Sequence, residues 1–85
     1  MNARALVARN IRRIRVARGL SQEALAVDAA IDRTYVSRLE RNLENPTVAV
    51  LERVARALRC GIVDLFAITG TGKIATLKPG RKRSA

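Results

Sequence analysis

Residues 20–42 read LSQEALAVDAAIDRTYVSRLERN, two short amphipathic segments that meet at Ala29-Ala30-Ile31, with arginines at 33, 38 and 41 in the second. At about 100° per residue, Arg33, Ser37, Arg41, Thr34 and Arg38 follow one another around a single arc of the second segment. Tyr35, Leu39 and Val36 fall on the far side. Such a helix rests on a core by its apolar face and offers hydrogen-bond donors from the other. The donors suit a major groove: Arg gives a bidentate pair to guanine O6 and N7, while Ser and Thr hydroxyls take several partners. An ordinary solvated helix face has the same composition, so the arc alone leaves both readings open.

The rest of the chain narrows the choice. Its 85 residues suffice for one domain with a modest core. With one Phe, one Tyr and no Trp, that core must be built from Leu, Ile, Val and Ala, which favours close helix packing. Seventeen Lys and Arg against seven Asp and Glu give a net charge of +10 and a pI near 11.6. Five of the basic residues (Lys73, Lys78, Arg81, Lys82, Arg83) lie at the C-terminal end, which leaves residues 1–72 with twelve basic and seven acidic groups, a net +5. A polyanion is the expected partner. The chain has no His and one Cys, so a His-dependent triad is impossible, a metal site is not expected, and neither catalytic activity nor a cofactor is anticipated. The single Cys60 makes no internal disulfide and fits a reducing compartment. No apolar run approaches membrane-spanning length, and MNARALVARN lacks the continuous apolar stretch of a secretion signal.

Hydrophobic periodicity predicts five helical segments. In residues 3–18 the apolar positions Ala3, Val7, Ile11, Ile14 and Ala17 share a face, Arg9, Arg12 and Arg13 lie opposite, and Gly19 supplies the stop. Ser21 is placed to cap a second helix ending near Asp28, and Asp32 to cap a third running to about Asn42. Pro46 disfavours a helical Asn45, so LENP is a loop. Thr47 then caps a fourth helix with Val48, Leu51, Val54 or Ala55, and Leu58 on its core face. Gly61 separates it from IVDLFAI, read as a short fifth helix. Residues 1–69 are thus expected to fold and residues 70–85 to form a basic, flexible tail. The TGTGK at 69–73 lacks the glycine at 67 and the Ser or Thr at 74 that a phosphate-binding loop requires; Ala67 and Ile74 stand there.

LSQEALA, a short turn, a polar-faced helix ending SRLERN, then NPTVAVLERVARAL and VDLF closely resemble the Cro and lambdoid-repressor class of helix-turn-helix domains, the XRE family. The resemblance covers roughly residues 6–66. It implies an all-α, five-helix lambda-repressor-like domain whose second helix crosses the DNA backbone and whose third enters the major groove. It assigns Gln22, Arg33, Thr34, Ser37 and Arg38 to DNA binding, Gln22 by way of a phosphate and the other four at base edges. Ser21, Tyr35, Arg41 and Asn42 fall where phosphate contacts are made, although Ser21 also suits a plain cap and Tyr35 the edge of a core. Two positions depart from the family pattern: Ala30 and Arg59 stand where glycine is usual. An L-residue held left-handed there costs on the order of 1 kcal/mol.

The function so implied is a sequence-specific, DNA-binding transcriptional regulator of bacterial or phage type, cytoplasmic and nucleoid-associated, similar to restriction–modification controller proteins and compact phage repressors. Its partner would be double-stranded DNA carrying a palindromic operator, with RNA polymerase or a toxin as further candidates and no membrane. An antitoxin-type autorepressor and a protein-bridging coactivator are the alternatives on the same fold. Two structural expectations accompany this reading. Glu40 lies between Val36 and Arg33 on the helical wheel and Arg15 borders Ile11, so the two are expected to form an ion pair tying the first helix to the third. One recognition helix covers only a few base pairs, so a homodimer is expected. Val50, Ile62, Val63, Leu65, Phe66 and Ile68 exceed the needs of one short terminal helix. Ile62 and Leu65 should pack inward, leaving Val63, Phe66 and Ile68 for the dimer interface.

Overall fold

A computed structural model of the chain describes residues 2–68. They form α1 (Ala3–Ala17), α2 (Gln22–Ala29), α3 (Arg33–Glu40) and α4 (Val48–Ala57), followed by a 3-10 helix over Ile62–Phe66. The five expected segments are all present, and no strand occurs among the described residues. The fifth is 3-10 rather than α. It is five residues long, and Asp64 folds back so that its Oδ2 accepts from the Gly61 N–H at 2.8 Å. Short runs of this kind tolerate the tighter winding. The expected tail, residues 70–85, and all but the first residue of the rejected phosphate-loop motif fall, together with that first residue, Thr69, outside the described residues.

Each helix starts where its capping residue stands. Asn2, Ser21 and Thr47 accept through their side chains from the backbone N–H three residues on, at 2.8, 2.9 and 3.1 Å. Asp32 occupies the corresponding position before α3 but makes no side-chain cap bond. The helix ends share one device. In every case a residue one or two positions past the helix takes a left-handed conformation, and two backbone bonds close around it. At the end of α2, for instance, Ile31 N–H donates to Ala26 O at 3.0 Å and Ala30 N–H to Val27 O at 3.2 Å, the Schellman pattern. The four left-handed residues are Gly19, Ala30, Asn42 and Arg59, with φ of 71°, 58°, 61° and 61°. Only one is glycine. Ala30 and Arg59 therefore carry the strain expected of them, and Asn42, a residue that tolerates this region, carries the third turn.

The core takes Val7, Ile11 and Ile14 from α1, Leu25, Ala26 and Ala29 from α2, Val36 and Leu39 from α3, Leu51, Val54, Ala55 and Leu58 from α4, and Leu65. Both Val54 and Ala55 are inside, so α4 needs no choice between them. Ala3, Ala17 and Val48, assigned to core faces by periodicity, are exposed. They sit in the first or last turns of their helices. Ile62 packs against the core and Leu65 is fully buried, as expected. Val50 also packs against the core.

One buried polar residue organises the C-terminal end. Asn10 is fully buried, and its Nδ2 donates to Leu65 O at 2.9 Å and Ala67 O at 2.7 Å. Its Oδ1 accepts from Arg13 Nε and Nη2 at 3.3 and 3.2 Å. All its capacity near the core is thus used, which is the condition for burying an amide without penalty. The 3-10 helix is pinned to α1 by these bonds.

Candidate nucleic-acid interface

α2, the turn Ala30-Ile31-Asp32 and α3 make the helix-turn-helix unit. α2 packs on both α3 and α4, and α1 packs on α3, so the unit is backed by the whole core. Val36 and Leu39 anchor α3 from below. Arg33, Thr34, Arg38 and Arg41 are exposed and Ser37 is half-buried. The structure thus brings the expected arc together on the outer side of α3.

The members of the arc are held to different degrees. Arg33 and Thr34 make no side-chain hydrogen bond among the described residues. Arg41 Nε donates to the Ser37 carbonyl at 3.3 Å. Arg38 is fixed from the loop that follows: its Nε donates to Glu44 Oε2 at 2.7 Å and its Nη2 to Leu43 O at 3.2 Å. Tyr35 packs its ring at the edge of the core. Burial, and secondarily the Glu44 carboxylate, push its phenol above the ordinary tyrosine range, so it stays a neutral donor at all physiological pH.

Beside α3 lies the expected ion pair. Arg15 Nε and Nη2 donate to Glu40 Oε2 and Oε1 at 2.6 and 3.1 Å, and the side chains are only 12% and 3% exposed. Arg15 Nη1 also donates to Leu20 O at 2.7 Å. Gln22 joins the same group through Nε2, which donates to Glu40 Oε1 at 3.1 Å. A carboxylate can only accept, so Gln22 must turn its amide nitrogen inward. That leaves its carbonyl oxygen and one N–H for a ligand, at the first turn of α2.

Other expected site residues have structural work of their own. The Ser21 hydroxyl oxygen accepts from Ala24 N–H, and Asn42 Oδ1 accepts from Arg4 Nε at 3.2 Å. Val63, Phe66 and Ile68 lie 77%, 43% and 64% exposed, an apolar group at the surface beside the C-terminal turn.

Two arginines that sequence reasoning passed over frame the unit. Arg53, on α4, sends Nε to Ala29 O at 3.0 Å and Nη2 to Ala30 O at 3.4 Å. Arg18 sends Nε to Leu58 O at 2.7 Å and Nη2 to Arg59 O at 3.1 Å. Both place a cation on the carbonyl end of a helix, where the helix dipole favours one. In the sequence they read as surface charge, since nothing local to 53 announces a carbonyl from residue 29.

Comparisons with known proteins agree with this geometry. A family model described as Helix-turn-helix matches residues 11–65. The uncharacterised HTH-type transcriptional regulator y4dJ of Sinorhizobium fredii is 39% identical over 69 residues, which cover 81% of this chain and 90% of that protein. The crystal structure of a hypothetical transcription factor from Neisseria is similar with a TM-score of 0.74 at 42% identity, covering 76% of this chain and 75% of the other. The tetramer of the restriction–modification controller protein C.Esp1396I, crystallised with its natural 35-base-pair operator, is similar with a TM-score of 0.72 at 36% identity, covering 78% of this chain and 87% of that one.

Proposed function

The chain belongs to the helix-turn-helix family of DNA-binding transcriptional regulators, and from that premise we propose that it works without catalysis, as a homodimer on a two-fold operator, reading base edges with α3. The observation that carries this is the arc of α3. Arg33, Thr34, Ser37 and Arg38 stand on its outer side while Val36 and Leu39 lock the inner side into the core. In this reading Gln22 reaches a phosphate at the first turn of α2, and Ser21, Tyr35, Arg41 and Asn42 flank the groove. Phosphate contacts set the register and base contacts set the sequence.

The dimer follows from the size of the footprint. A two-fold dimer places two α3 helices on successive major-groove faces, about 34 Å apart, and an isologous patch is needed to hold it. Val63, Phe66 and Ile68 are exposed, apolar and lie within six residues of one another, which supports them as that patch. The relative C.Esp1396I is described as a tetramer on its operator, an assembly in keeping with self-association in this family.

The test is a competition titration of a selected operator against random DNA, run beside sedimentation at micromolar protein. A specific regulator prefers its site by about 10³-fold or more. Arg33→Ala and Arg38→Ala should each lose roughly 1–3 kcal/mol at that site. Wild-type operator binding by both variants would end the assignment of α3. A strict monomer that binds an asymmetric site without cooperativity would end the dimer.

A further inference from the structure

We infer that Glu44 is a specificity-determining residue, a positioning group that presents the Arg38 guanidinium to one base pair. The inference rests on the reading of Arg38 as a base reader. Glu44 belongs to the loop between α3 and α4, outside the recognition helix, yet its Oε2 accepts from Arg38 Nε at 2.7 Å. The neighbouring Leu43 carbonyl accepts from Arg38 Nη2 at 3.2 Å. A guanidinium has five N–H donors in one plane, so these two bonds leave both donors of Nη1 and one of Nη2. That is sufficient for the parallel pair of bonds to guanine O6 and N7.

The loop that supplies the acceptors is itself closed on the helix. Leu43 N–H donates to the carbonyl of Arg38 at 2.9 Å, and Asn42 N–H donates to Leu39 O at 3.1 Å. Glu44 is therefore not a charge on a swinging tether. The side chains are 44% exposed for Arg38 and 27% for Glu44, so the pair lies at the surface with the arginine the more open of the two. The raised phenol of Tyr35, to which the Glu44 carboxylate contributes after burial, sets the same negative charge near the inner side of α3. Rotamer freedom that an arginine ordinarily gives up on meeting its ligand is here given up in the free protein, which is preorganisation.

The carboxylate has a second effect of opposite sign. It offsets one cation of the arc, so it weakens attraction to any phosphate backbone while leaving the directional donors in place. Removing it should raise or preserve affinity for random DNA and lower discrimination at one position. Structural damage would lower both.

The experiment uses the full chain and an operator obtained by selection from random oligonucleotides. Each base pair is replaced in turn, and affinities are measured for wild type, Arg38→Ala, Glu44→Ala and Glu44→Gln, with helical content and unfolding midpoint recorded for each. Arg38→Ala should erase the preference at one base pair. Glu44→Ala should reduce the preference at that same pair by about tenfold, leave other positions unchanged, and bind random DNA at least as well as wild type. Glu44→Gln, which keeps an uncharged acceptor, should fall between. If Arg38→Ala flattens a position where Glu44→Ala keeps full preference, the positioning role is overturned and Arg38 remains a reader. If Arg38→Ala changes preference nowhere, both fall. Uniform loss at every base pair together with loss of random-DNA affinity would reduce Glu44 to a structural residue and overturn the inference as well.

Discussion

Removing Arg15 should cost far more than the loss of one surface ion pair. In the folded chain Glu40 accepts three bonds, two from Arg15 and one from Gln22, and its side chain is only 3% exposed. Arg15→Ala leaves that carboxylate behind the recognition helix with the Gln22 amide alone, and it also releases the Leu20 carbonyl. Stranding one partner of a buried pair costs about 3–5 kcal/mol, against about 0–1 for an exposed one. A domain of this size holds only about 5–10 kcal/mol in total, so the variant should sit near the edge of folding. Urea unfolding followed by helical circular dichroism measures it. With a slope of about 1 kcal/mol per molar for a small domain, the midpoint should fall by about 3–5 M. Glu40→Ala should be similarly harmful, and a double-mutant cycle should return a coupling of about 2–3 kcal/mol. The double substitution Arg15→Met with Glu40→Leu removes both charges, and should cost less than either single change because nothing charged is left buried. If Arg15→Ala loses less than about 1 kcal/mol and the coupling is indistinguishable from zero, the pair does not tie α1 to α3.

Three further outcomes are expected. Truncation after Thr69 removes five basic residues and no acid, and should lower affinity for every DNA sequence while flattening the salt dependence; a loss of site preference instead would make the tail a reader. Ala30→Gly should raise the unfolding midpoint, with a gain of about 0.5–1 kcal/mol from relief of the left-handed strain at φ 58°, and an unchanged or lower midpoint refutes the strain. Burial, then Asp64, push the Cys60 thiol above its ordinary range, with Arg18 and Arg13 acting the other way. Alkylation at neutral pH should be slower in the folded than in the urea-unfolded chain, and because the folded pKa is raised, any stability this thiol contributes is present below the ordinary thiol range and lost as pH climbs through it. Equal alkylation rates in the two states would contradict this.

What the sequence disclosed and what it hid divide along physical lines. Caps and stops act within a few residues, so Ser21, Thr47 and Gly19 were legible, and the left-handed Ala30 and Arg59 stood out against the family pattern. The arc of α3 needed only the helical period. Asn10 was hidden although it shares the face of Val7, Ile11 and Ile14, three and four residues apart; a polar side chain at a core period is a signal that apolar counting discards. Its partners are carbonyls of residues 65 and 67, which no local pattern reveals. Glu44 was hidden for a similar reason. It follows the helix it serves, in a loop read only for its proline.

The use of arginine joins these observations. Every basic residue from 1 to 72 is an arginine, and the structure gives a reason at several of them. Arg18 and Arg53 each reach two successive carbonyls at a helix end with Nε and Nη2, and Arg15 spans a carboxylate and a carbonyl on different elements. A planar fork makes such bonds simultaneously from one side chain, whereas an ammonium is a point charge on a flexible stem. Arg→Lys at 18 or 53 would therefore keep the net charge and lose the clamp. It also follows that the net +5 of residues 1–72 is a poor guide to DNA affinity. Three of the twelve arginines, Arg15, Arg18 and Arg53, are directed inward at carbonyls beside the turns. On α3, Arg33 makes no side-chain hydrogen bond among the described residues and Arg38 is held by Glu44 and Leu43. A regulator built this way separates its two uses of the guanidinium. Inward forks fix where α3 lies, and the outward ones are those proposed to read the groove.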